Sequence, residues 1–168
     1  MEPRLPAELH ARAAKIRLLV LDADGVLTNG QLFYGDTGEV LKAFHARDGL
    51  GLRLLRNEGV QLAVISGRAA PALTKRLADL RFHHVLLARD DKRAALDECM
   101  RSAGVSADET AFVGDDVLDL LGMRAVGLSI AVADAHFLVR REAAWVTQLR
   151  GGEGAVREVA DALLSARG

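Results

Sequence analysis

Short apolar runs alternate with longer amphipathic stretches along this chain, a pattern typical of an α/β protein with a parallel sheet. Residues 16–21 are almost continuously apolar and stop at an acidic pair, so they predict a strand buried on both faces. Further strands are predicted at residues 60–65, 85–87, 111–113, 126–132 and 145–147. Helices are predicted between them, at residues 48–57, 70–80, 90–103, 135–141 and 155–166, with a short helix ending at residue 123.

Two segments lie outside this alternation. Residues 1–15 predict a short amphipathic helix or arm before the first strand. Residues 32–34 and 40–44 flank a Gly-Asp-Thr-Gly turn, which predicts a β-hairpin. A chain of 168 residues is long enough for one domain, so we expect a single domain over 1–168 that ends in a glycine-rich segment and a helix at 151–168.

Polar side chains follow three of the predicted strands directly. Asp22, Ser66 and Asp115 each come immediately after an apolar run. Because the carboxyl ends of parallel strands form the ligand crevice of an open α/β sheet, we expect these three side chains to lie at one edge.

The acidic residues at these strand ends have two interpretations. Asp22 and Asp24 could simply cap a turn and face solvent, and Asp116 and Asp119 could offset a helix dipole. Alternatively, Asp22 and Asp115 face each other across one hard cation if their strands are neighbours. An aspartate at such a site can also attack phosphorus and form an aspartyl-phosphate.

The segment that follows the predicted strand at 60–65 could bind a phosphate group. Ser66 offers a hydroxyl group, Gly67 an unobstructed backbone N–H, and Arg68 precedes a predicted helix. An ordinary helix cap would also explain this segment. Lys92 could be a surface charge at the start of its helix, but a carboxylate-rich site that accepts a phosphate dianion needs a fixed cation.

Composition narrows the class of protein. The net charge is −1, from 22 basic and 23 acidic residues, which argues against a nucleic-acid partner. Cys99 is the one cysteine, so no internal disulfide can form. No apolar run approaches the ~20 residues of a membrane span, and the N-terminus lacks the apolar core of a secretory signal. These features favour a cytoplasmic protein without a membrane partner.

Four motifs in this order resemble those of the haloacid dehalogenase superfamily of aspartate-nucleophile phosphatases. They are DxDGxLT at 22–28, SGR at 66–68, Lys92, and GDDxxD at 114–119. The segments at 44–51, 126–147 and 151–159 resemble, more narrowly, the small tetrameric 3-deoxy-D-manno-octulosonate 8-phosphate phosphatases. The resemblance implies a doubly wound sheet of strand order 3-2-1-4-5, with a hairpin in place of a cap domain.

The resemblance also implies a reaction and a set of roles. A magnesium-dependent phosphatase would release the sugar acid, a lipopolysaccharide precursor, from its phosphate ester through an aspartyl-phosphate. Asp22 would be the nucleophile and a metal ligand, and Asp24 the general acid and base with its carbonyl on the metal. Ser66 would hold the phosphoryl oxygens, Lys92 would neutralise charge, and Asp115 would be the third metal ligand. Asp116 and Asp119 would orient the lysine and the metal-bound waters.

Substrate contacts are implied for a further set of residues. These are Asp24, His45, Arg47, Asp48, Gly49, Arg53, Gly67, Arg68, Arg76 and Lys92. The arginines could equally be ordinary surface residues at helical spacing. Arg68 is expected at the start of the helix that follows the SGR motif and Arg76 two turns along it. Their separation of eight residues places them on roughly one face, where they could bind the substrate carboxylate.

The chain departs from the family pattern at several positions. Leu121 or Gly122, and Phe137, stand where proline is usual, and Glu153 replaces a basic residue. Residues 88–91, before the lysine, lack the usual glycine. We expect residues 151–154 to fold over a site as a mobile flap that closes through backbone groups or through Arg157 in place of the missing basic residue.

No interval between the motifs is long enough for a cap domain. Asp22 and Ser66 are 44 positions apart, and Ser66 and Lys92 are 26 apart, which the predicted elements nearly fill. The resemblance implies that hairpins of four subunits pair and that neighbours cover the sites. A homotetramer is therefore expected, with an interface that includes Leu32, Tyr34, Val40 and Phe44. A nonulosonate 9-phosphate phosphatase and a catalytically silent oligomeric module remain the alternatives.

Overall fold

A six-stranded parallel sheet forms the centre of the computed structural model, which describes residues 5–168. The first four residues of the predicted arm lie outside this range. The strands are β1 (Leu18–Leu21), β2 (Phe33–Gly35), β3 (Gly38–Leu41), β4 (Gln61–Ile65), β5 (His84–Leu86), β6 (Thr110–Gly114), β7 (Leu128–Ala131) and β8 (Trp145–Val146). In the main sheet the order is β5-β4-β1-β6-β7-β8, which confirms the predicted doubly wound topology and adds β8 at one edge.

Helices cover both faces of this sheet. They are α1 (His10–Ala13), α2 (Ala46–Asn57), α3 (Pro71–Leu80), α4 (Lys92–Ala103), α5 (Leu120–Met123), α6 (Phe137–Glu142) and α7 (Ala155–Arg167). On one face α2 packs against α3 and α7, and α1 also contacts α7. The chain reverses its direction across the sheet after β5, so the right-handed crossover places α4 on the other face, where it contacts α5.

The central strand is buried along its whole length. All four residues of β1 are fully buried, as its apolar run predicts for a strand with helices on both sides. β1 pairs with β4 on one side and β6 on the other. The ends of these three strands therefore lie side by side, and the residues that follow them share one edge of the sheet.

The hairpin of β2 and β3 is separate from the main sheet and exposes its apolar side chains. Tyr34 is 63% exposed, Val40 61% and Leu41 55%. Such a concentration of apolar surface is unusual for a segment that faces only water.

The glycine-rich segment after β8 is not a flap over the site, so that prediction is wrong. Gly151 N–H donates to Asp134 Oδ1 at 3.0 Å, and Gly152 N–H donates to Val26 O at 3.0 Å. A Cβ at Gly151 would lie 1.7 Å from the carbonyl oxygen of Gly25, so only glycine permits this approach. The segment is thus docked on the loop that follows β1.

Arg157 does not reach over the site either. Its guanidinium pairs with Asp161 one turn along α7, at 2.8 Å. Its backbone N–H donates to Asp48 Oδ1 at 2.8 Å, which ties α7 to α2. Within residues 5–168, no helix has both the length and the apolar character needed to cross a membrane.

Glu158 fixes the start of the docked segment. Its buried carboxylate accepts hydrogen bonds from the backbone N–H groups of Gln148 and Leu149, each at 3.0 Å. Replacing it with alanine would leave both donors without this partner, at a cost of about 1–3 kcal/mol for a buried group.

We expect Glu158→Ala to lower the free energy of unfolding by about 2 kcal/mol, measured by urea denaturation. The matched control is Glu153→Ala at an exposed position of the same segment, which should change the free energy by less than about 0.5 kcal/mol. Equal values for the two variants would show that Glu158 does not anchor the segment.

Candidate active site

The carboxyl ends of β1, β4 and β6 border a cavity of about 330 Å³. Eight residues singled out from the sequence line it: Asp22, Asp24, Ser66, Gly67, Arg68, Lys92, Asp115 and Asp116. Asp119, at its base, is a ninth. The topology explains this convergence, because the segments that follow neighbouring parallel strands meet at one edge.

Three carboxylates are crowded at the base of the cavity. One oxygen atom from each of Asp22, Asp115 and Asp119 lies within 4.8 Å of the others. Burial, followed by the charge of Asp119, raises the pKa of Asp22 to about 6. Burial, followed by the charges of Asp22 and Asp119, raises the pKa of Asp115 to about 9. A divalent cation bound between these carboxylates would lower both pKa values.

The carboxylate oxygens that have no hydrogen-bond partner indicate which residues could hold such a cation. Asp115 Oδ1 is buried and has no hydrogen-bond partner. Both oxygens of Asp119 are already engaged, one by Lys92 and the other by backbone N–H groups. The donor set therefore fits a hard cation between Asp22 and Asp115, with Asp119 supporting them.

Lys92 is the fixed cation of this cluster. Its Nζ lies 2.9 Å from Asp22 Oδ1 and 2.5 Å from Asp119 Oδ1, and its side chain is 6% exposed. Burial alone would lower the pKa of Lys92, but the two carboxylates outweigh it and raise the pKa. Lys92 is the first residue of α4, where the Asp91 side chain caps the helix by accepting from Ala94 N–H.

The two acidic residues expected to support the site differ in what they do. Asp119 contacts the lysine as predicted, and its Oδ2 accepts from the backbone N–H groups of Asp115 and Asp116. Asp116 is exposed, and its side chain accepts from Val117 N–H at 2.7 Å instead of contacting the lysine.

The loop after β1 depends on Gly25. Its φ of +90° lies in the left-handed region, and a Cβ there would lie 2.0 Å from Asp115 Oδ2. Thr28 Oγ1 accepts from the backbone N–H groups of Gly25 and Gly30, at 3.3 and 3.2 Å. The DxDGxLT spacing therefore closes a turn that brings the first carboxylates against Asp115.

The segment after β4 is arranged as a cradle. Ser66 is buried, and its Oγ accepts from Arg68 N–H at 3.2 Å. Its backbone oxygen accepts from Arg89 N–H, which ties this segment to the loop before α4. In that loop Ala88 has a φ of +54°, so alanine occupies a left-handed conformation that glycine adopts without strain.

The hairpin supplies two charged residues that the sequence analysis missed. Lys42 Nζ lies 2.5 Å from Asp24 Oδ1 and 2.6 Å from Glu39 Oε1, and Arg68 Nη2 donates to Glu39 Oε2 at 3.0 Å. Hydrogen bonding to Lys42 lowers the pKa of Glu39. The available signal was a lysine among apolar residues, between Leu41 and Phe44, in a segment that was interpreted only as one arm of the hairpin.

Other predicted substrate residues lie in a second cavity of about 250 Å³, bordered by α2 and α3. Gly49, Arg53 and Arg76 line it, and Gly49 leaves room for the Arg76 guanidinium, which a Cβ would approach to 2.4 Å. Arg68 precedes α3, which begins at Pro71, and lines the first cavity. The prediction that Arg68 and Arg76 share a helix face is therefore wrong.

The remaining predicted contacts line neither of these two cavities. Asp48 is buried, and its Oδ1 accepts from the backbone N–H of Arg157 and so joins two helices, whereas its Oδ2 has no hydrogen-bond partner. Burial raises the pKa of Asp48, although the Arg157 N–H and His45 oppose this shift. His45 precedes α2 at its N-cap position, and Arg47 is exposed in its first turn.

Comparison with known proteins places this geometry among phosphatases. Residues 83–158 match the family model described as haloacid dehalogenase-like hydrolase. The 3-deoxy-D-manno-octulosonate 8-phosphate phosphatase KdsC of Escherichia coli K12 is 44% identical over 162 residues, which are 96% of this chain and 86% of that protein.

Two solved structures agree closely with the fold. The cobalt-bound deoxy-D-mannose-octulosonate 8-phosphate phosphatase of Haemophilus influenzae has a TM-score of 0.92 at 44% identity and covers 93% of this chain and 91% of that one. The 3-deoxy-D-manno-octulosonate 8-phosphate phosphatase of Moraxella catarrhalis, in complex with magnesium, phosphate and a KDO molecule, has a TM-score of 0.93 at 36% identity. It covers 97% of this chain and 94% of that one.

Magnesium should stabilise the fold through Asp115. At a concentration of about 100 times its Kd, a ligand of the native state adds about 3 kcal/mol, measured as a rise in Tm by scanning calorimetry. Asp115→Asn should unfold at nearly the wild-type Tm without divalent cation, because the buried carboxyl group is then already protonated, and should lose the rise with magnesium. Asp116→Asn, the exposed neighbour, should retain it. A full magnesium response in Asp115→Asn would contradict this metal site.

Proposed function

We propose that this chain, which belongs to the 3-deoxy-D-manno-octulosonate 8-phosphate phosphatase family of the haloacid dehalogenase-like hydrolases, hydrolyses that sugar-acid phosphate to the free sugar acid and phosphate. The observation that carries the proposal is the buried cluster in which Lys92 contacts Asp22 beside an unpartnered oxygen of Asp115. Such a cluster holds a nucleophile, a fixed positive charge and a place for a cation at one point. The product serves as a lipopolysaccharide precursor.

Asp22 is the nucleophile. Its carboxylate attacks phosphorus, and a bond from phosphorus to the Asp22 oxygen forms as the bond to the sugar oxygen breaks. Asp24 donates its carboxyl proton to the departing sugar oxygen. Water then attacks the phosphorus of the aspartyl-phosphate and gives a proton to Asp24, which releases phosphate and restores Asp22.

The other groups of the cavity neutralise the charge of the phosphoryl group and orient it. Lys92 fixes Asp22 and faces the negative charge of the phosphoryl group. Ser66 and the backbone at Gly67 bind the phosphoryl oxygens. Magnesium is the cofactor; the Asp22 and Asp115 carboxylates and the Asp24 carbonyl oxygen would hold it, and it would supply positive charge that neutralises the phosphoryl oxygens.

Recognition of the sugar acid requires more than one chain. Arg68 lines the catalytic cavity, but Arg53 and Arg76 line the other one. A substrate carboxylate far from phosphorus could meet such arginines only where a second subunit brings them to the cavity. We infer that 1–168 forms a single cytoplasmic domain that assembles as a homotetramer through the exposed hairpins.

The substrate assignment is tested with a panel of phosphate esters. We expect 3-deoxy-D-manno-octulosonate 8-phosphate to give the highest kcat/KM, above a nonulosonate 9-phosphate and a neutral hexose phosphate. Asp22→Asn should lower kcat by at least ~10³-fold, because the covalent step has no other route.

Each alternative has its own result in this panel. A higher kcat/KM for the nonulosonate 9-phosphate would transfer the assignment to that substrate. A protein that hydrolyses none of the esters, with magnesium present, would be a silent module. Wild-type turnover in Asp22→Asn would contradict the mechanism whatever the substrate.

The assembly is tested by light scattering. Val40→Glu places a charge at the most exposed aliphatic position of the hairpin and should give a monomer with at least ~10-fold lower kcat/KM for the sugar-acid phosphate. Val85→Glu, on the exposed edge strand β5, is the control for a new surface charge and should leave the tetramer intact. A fully active wild-type monomer would contradict the proposal.

A further inference from the structure

A buried lysine from the hairpin holds the carboxylate of Asp24. Lys42 follows β3 directly, and its side chain is 1% exposed although the apolar residues beside it are exposed. Its Nζ lies 2.5 Å from Asp24 Oδ1 and 2.6 Å from Glu39 Oε1. A buried ammonium is costly unless it is paired, so these two carboxylates determine where Lys42 lies.

The second oxygen of Asp24 is in a different situation. Asp24 Oδ2 is buried and accepts no hydrogen bond, and Arg68 Nε lies 3.5 Å from it. Asp24 borders the catalytic cavity together with Asp22. Lys42 thus fixes one oxygen and leaves the other available to exchange a proton with a bound ester.

The two buried lysines serve different carboxylates. Lys92 contacts Asp22 and Asp119, whereas Lys42 contacts Asp24 and Glu39. Arg68 completes the second group by pairing with Glu39. The first group contacts the proposed nucleophile, whereas the second contacts the proposed proton donor.

We propose that Lys42 is a positioning residue that holds the Asp24 carboxyl group in line with the leaving oxygen. The inference rests on the role of Asp24 in the proposed function. In the step concerned, the bond from phosphorus to the leaving oxygen breaks, the bond to the Asp22 oxygen forms, and the leaving oxygen takes the proton of Asp24. Misplacing Asp24 slows this step only where the leaving oxygen needs that proton.

The leaving group therefore separates positioning from a structural role. Phenyl phosphate releases a basic phenolate that benefits from protonation, and 2,4-dinitrophenyl phosphate releases a stable anion that does not. The kcat/KM value covers the steps up to departure of the leaving group and excludes the later hydrolysis of the aspartyl-phosphate. A change in the ratio of the two values reports on proton donation, and general instability changes both equally.

The experiment measures kcat/KM of the full chain on both esters, with magnesium. Lys42→Met should lower the value for phenyl phosphate by about 10²-fold and that for the dinitrophenyl ester by no more than about threefold, in keeping with the contribution of a general acid. Lys42→Arg, which retains the charge, should recover part of the loss. If Lys42→Met does not fold by circular dichroism, Lys42→Gln replaces it and should shift the ratio in the same direction.

Tyr34→Phe is the matched control on the same hairpin. It removes the hydrogen bond from Arg68 Nη2 to Tyr34 Oη at 3.1 Å and leaves the contacts of Lys42 with Asp24 and Glu39 in place, so the ratio should stay at the wild-type value. Equal losses for both esters in the Lys42 variants, or the same ratio change in Tyr34→Phe, would overturn the proposal. Because aryl esters are used, a wild-type preference for another sugar phosphate would refute the substrate assignment without affecting this test.

Discussion

The crowding of like charges at one edge of the sheet is the constraint on which the rest of this structure depends. Asp22, Asp115 and Asp119 lie against one another with a single ammonium, that of Lys92, among them. Two buried carboxylates, a half-buried one and one lysine leave negative charge uncompensated, which proteins tolerate only where a proton or a cation is taken up. The arrangement is stable with a metal ion present and reactive toward a phosphate ester for the same reason.

The surrounding backbone is shaped to permit this crowding. Gly25 has no Cβ, so Asp115 can lie against the loop after β1. Gly114 likewise leaves room for Asp119, because a Cβ at position 114 would lie 2.5 Å from the Cβ of Asp119. Gly151 lets the segment before α7 dock on the carbonyl of Gly25. These glycines, which are far apart in the chain, serve one site.

The parallel sheet and the convergence of Asp22, Ser66 and Asp115 at one edge were predictable, because apolar runs mark the strands and the carboxyl ends of parallel strands share an edge. The strand order came only from the resemblance to the haloacid dehalogenase superfamily. Lys42 was not predictable in its role, because its partner lies 18 residues away and only the folded hairpin brings them together. The glycine-rich segment was misread as a flap because glycine permits close packing as readily as motion. The contact of Asp48 with the backbone of Arg157 was not predictable, because a contact between two helices leaves no periodic pattern in the sequence.

The predicted site residues of one chain are distributed over two separate cavities. The phosphoryl chemistry is complete around the 330 Å³ cavity, whereas Arg53 and Arg76 line another cavity. The exposed hairpin carries both the apolar surface suited to assembly and Lys42, which contacts Asp24. The hairpin thus carries both a candidate assembly surface and a side chain that contacts Asp24.

The central claim is that Asp22 becomes phosphorylated, and trapping that species tests it most directly. In Asp24→Asn, 2,4-dinitrophenyl phosphate should still transfer its phosphoryl group, because this leaving group needs no proton, but the hydrolysis that follows should stall. Mixing the magnesium-loaded variant with this ester, quenching in acid and mapping peptides by mass spectrometry should place one phosphoryl group on Asp22 for each dinitrophenolate released in the first turnover. Release of dinitrophenolate with no phosphoryl group on Asp22 would contradict the account.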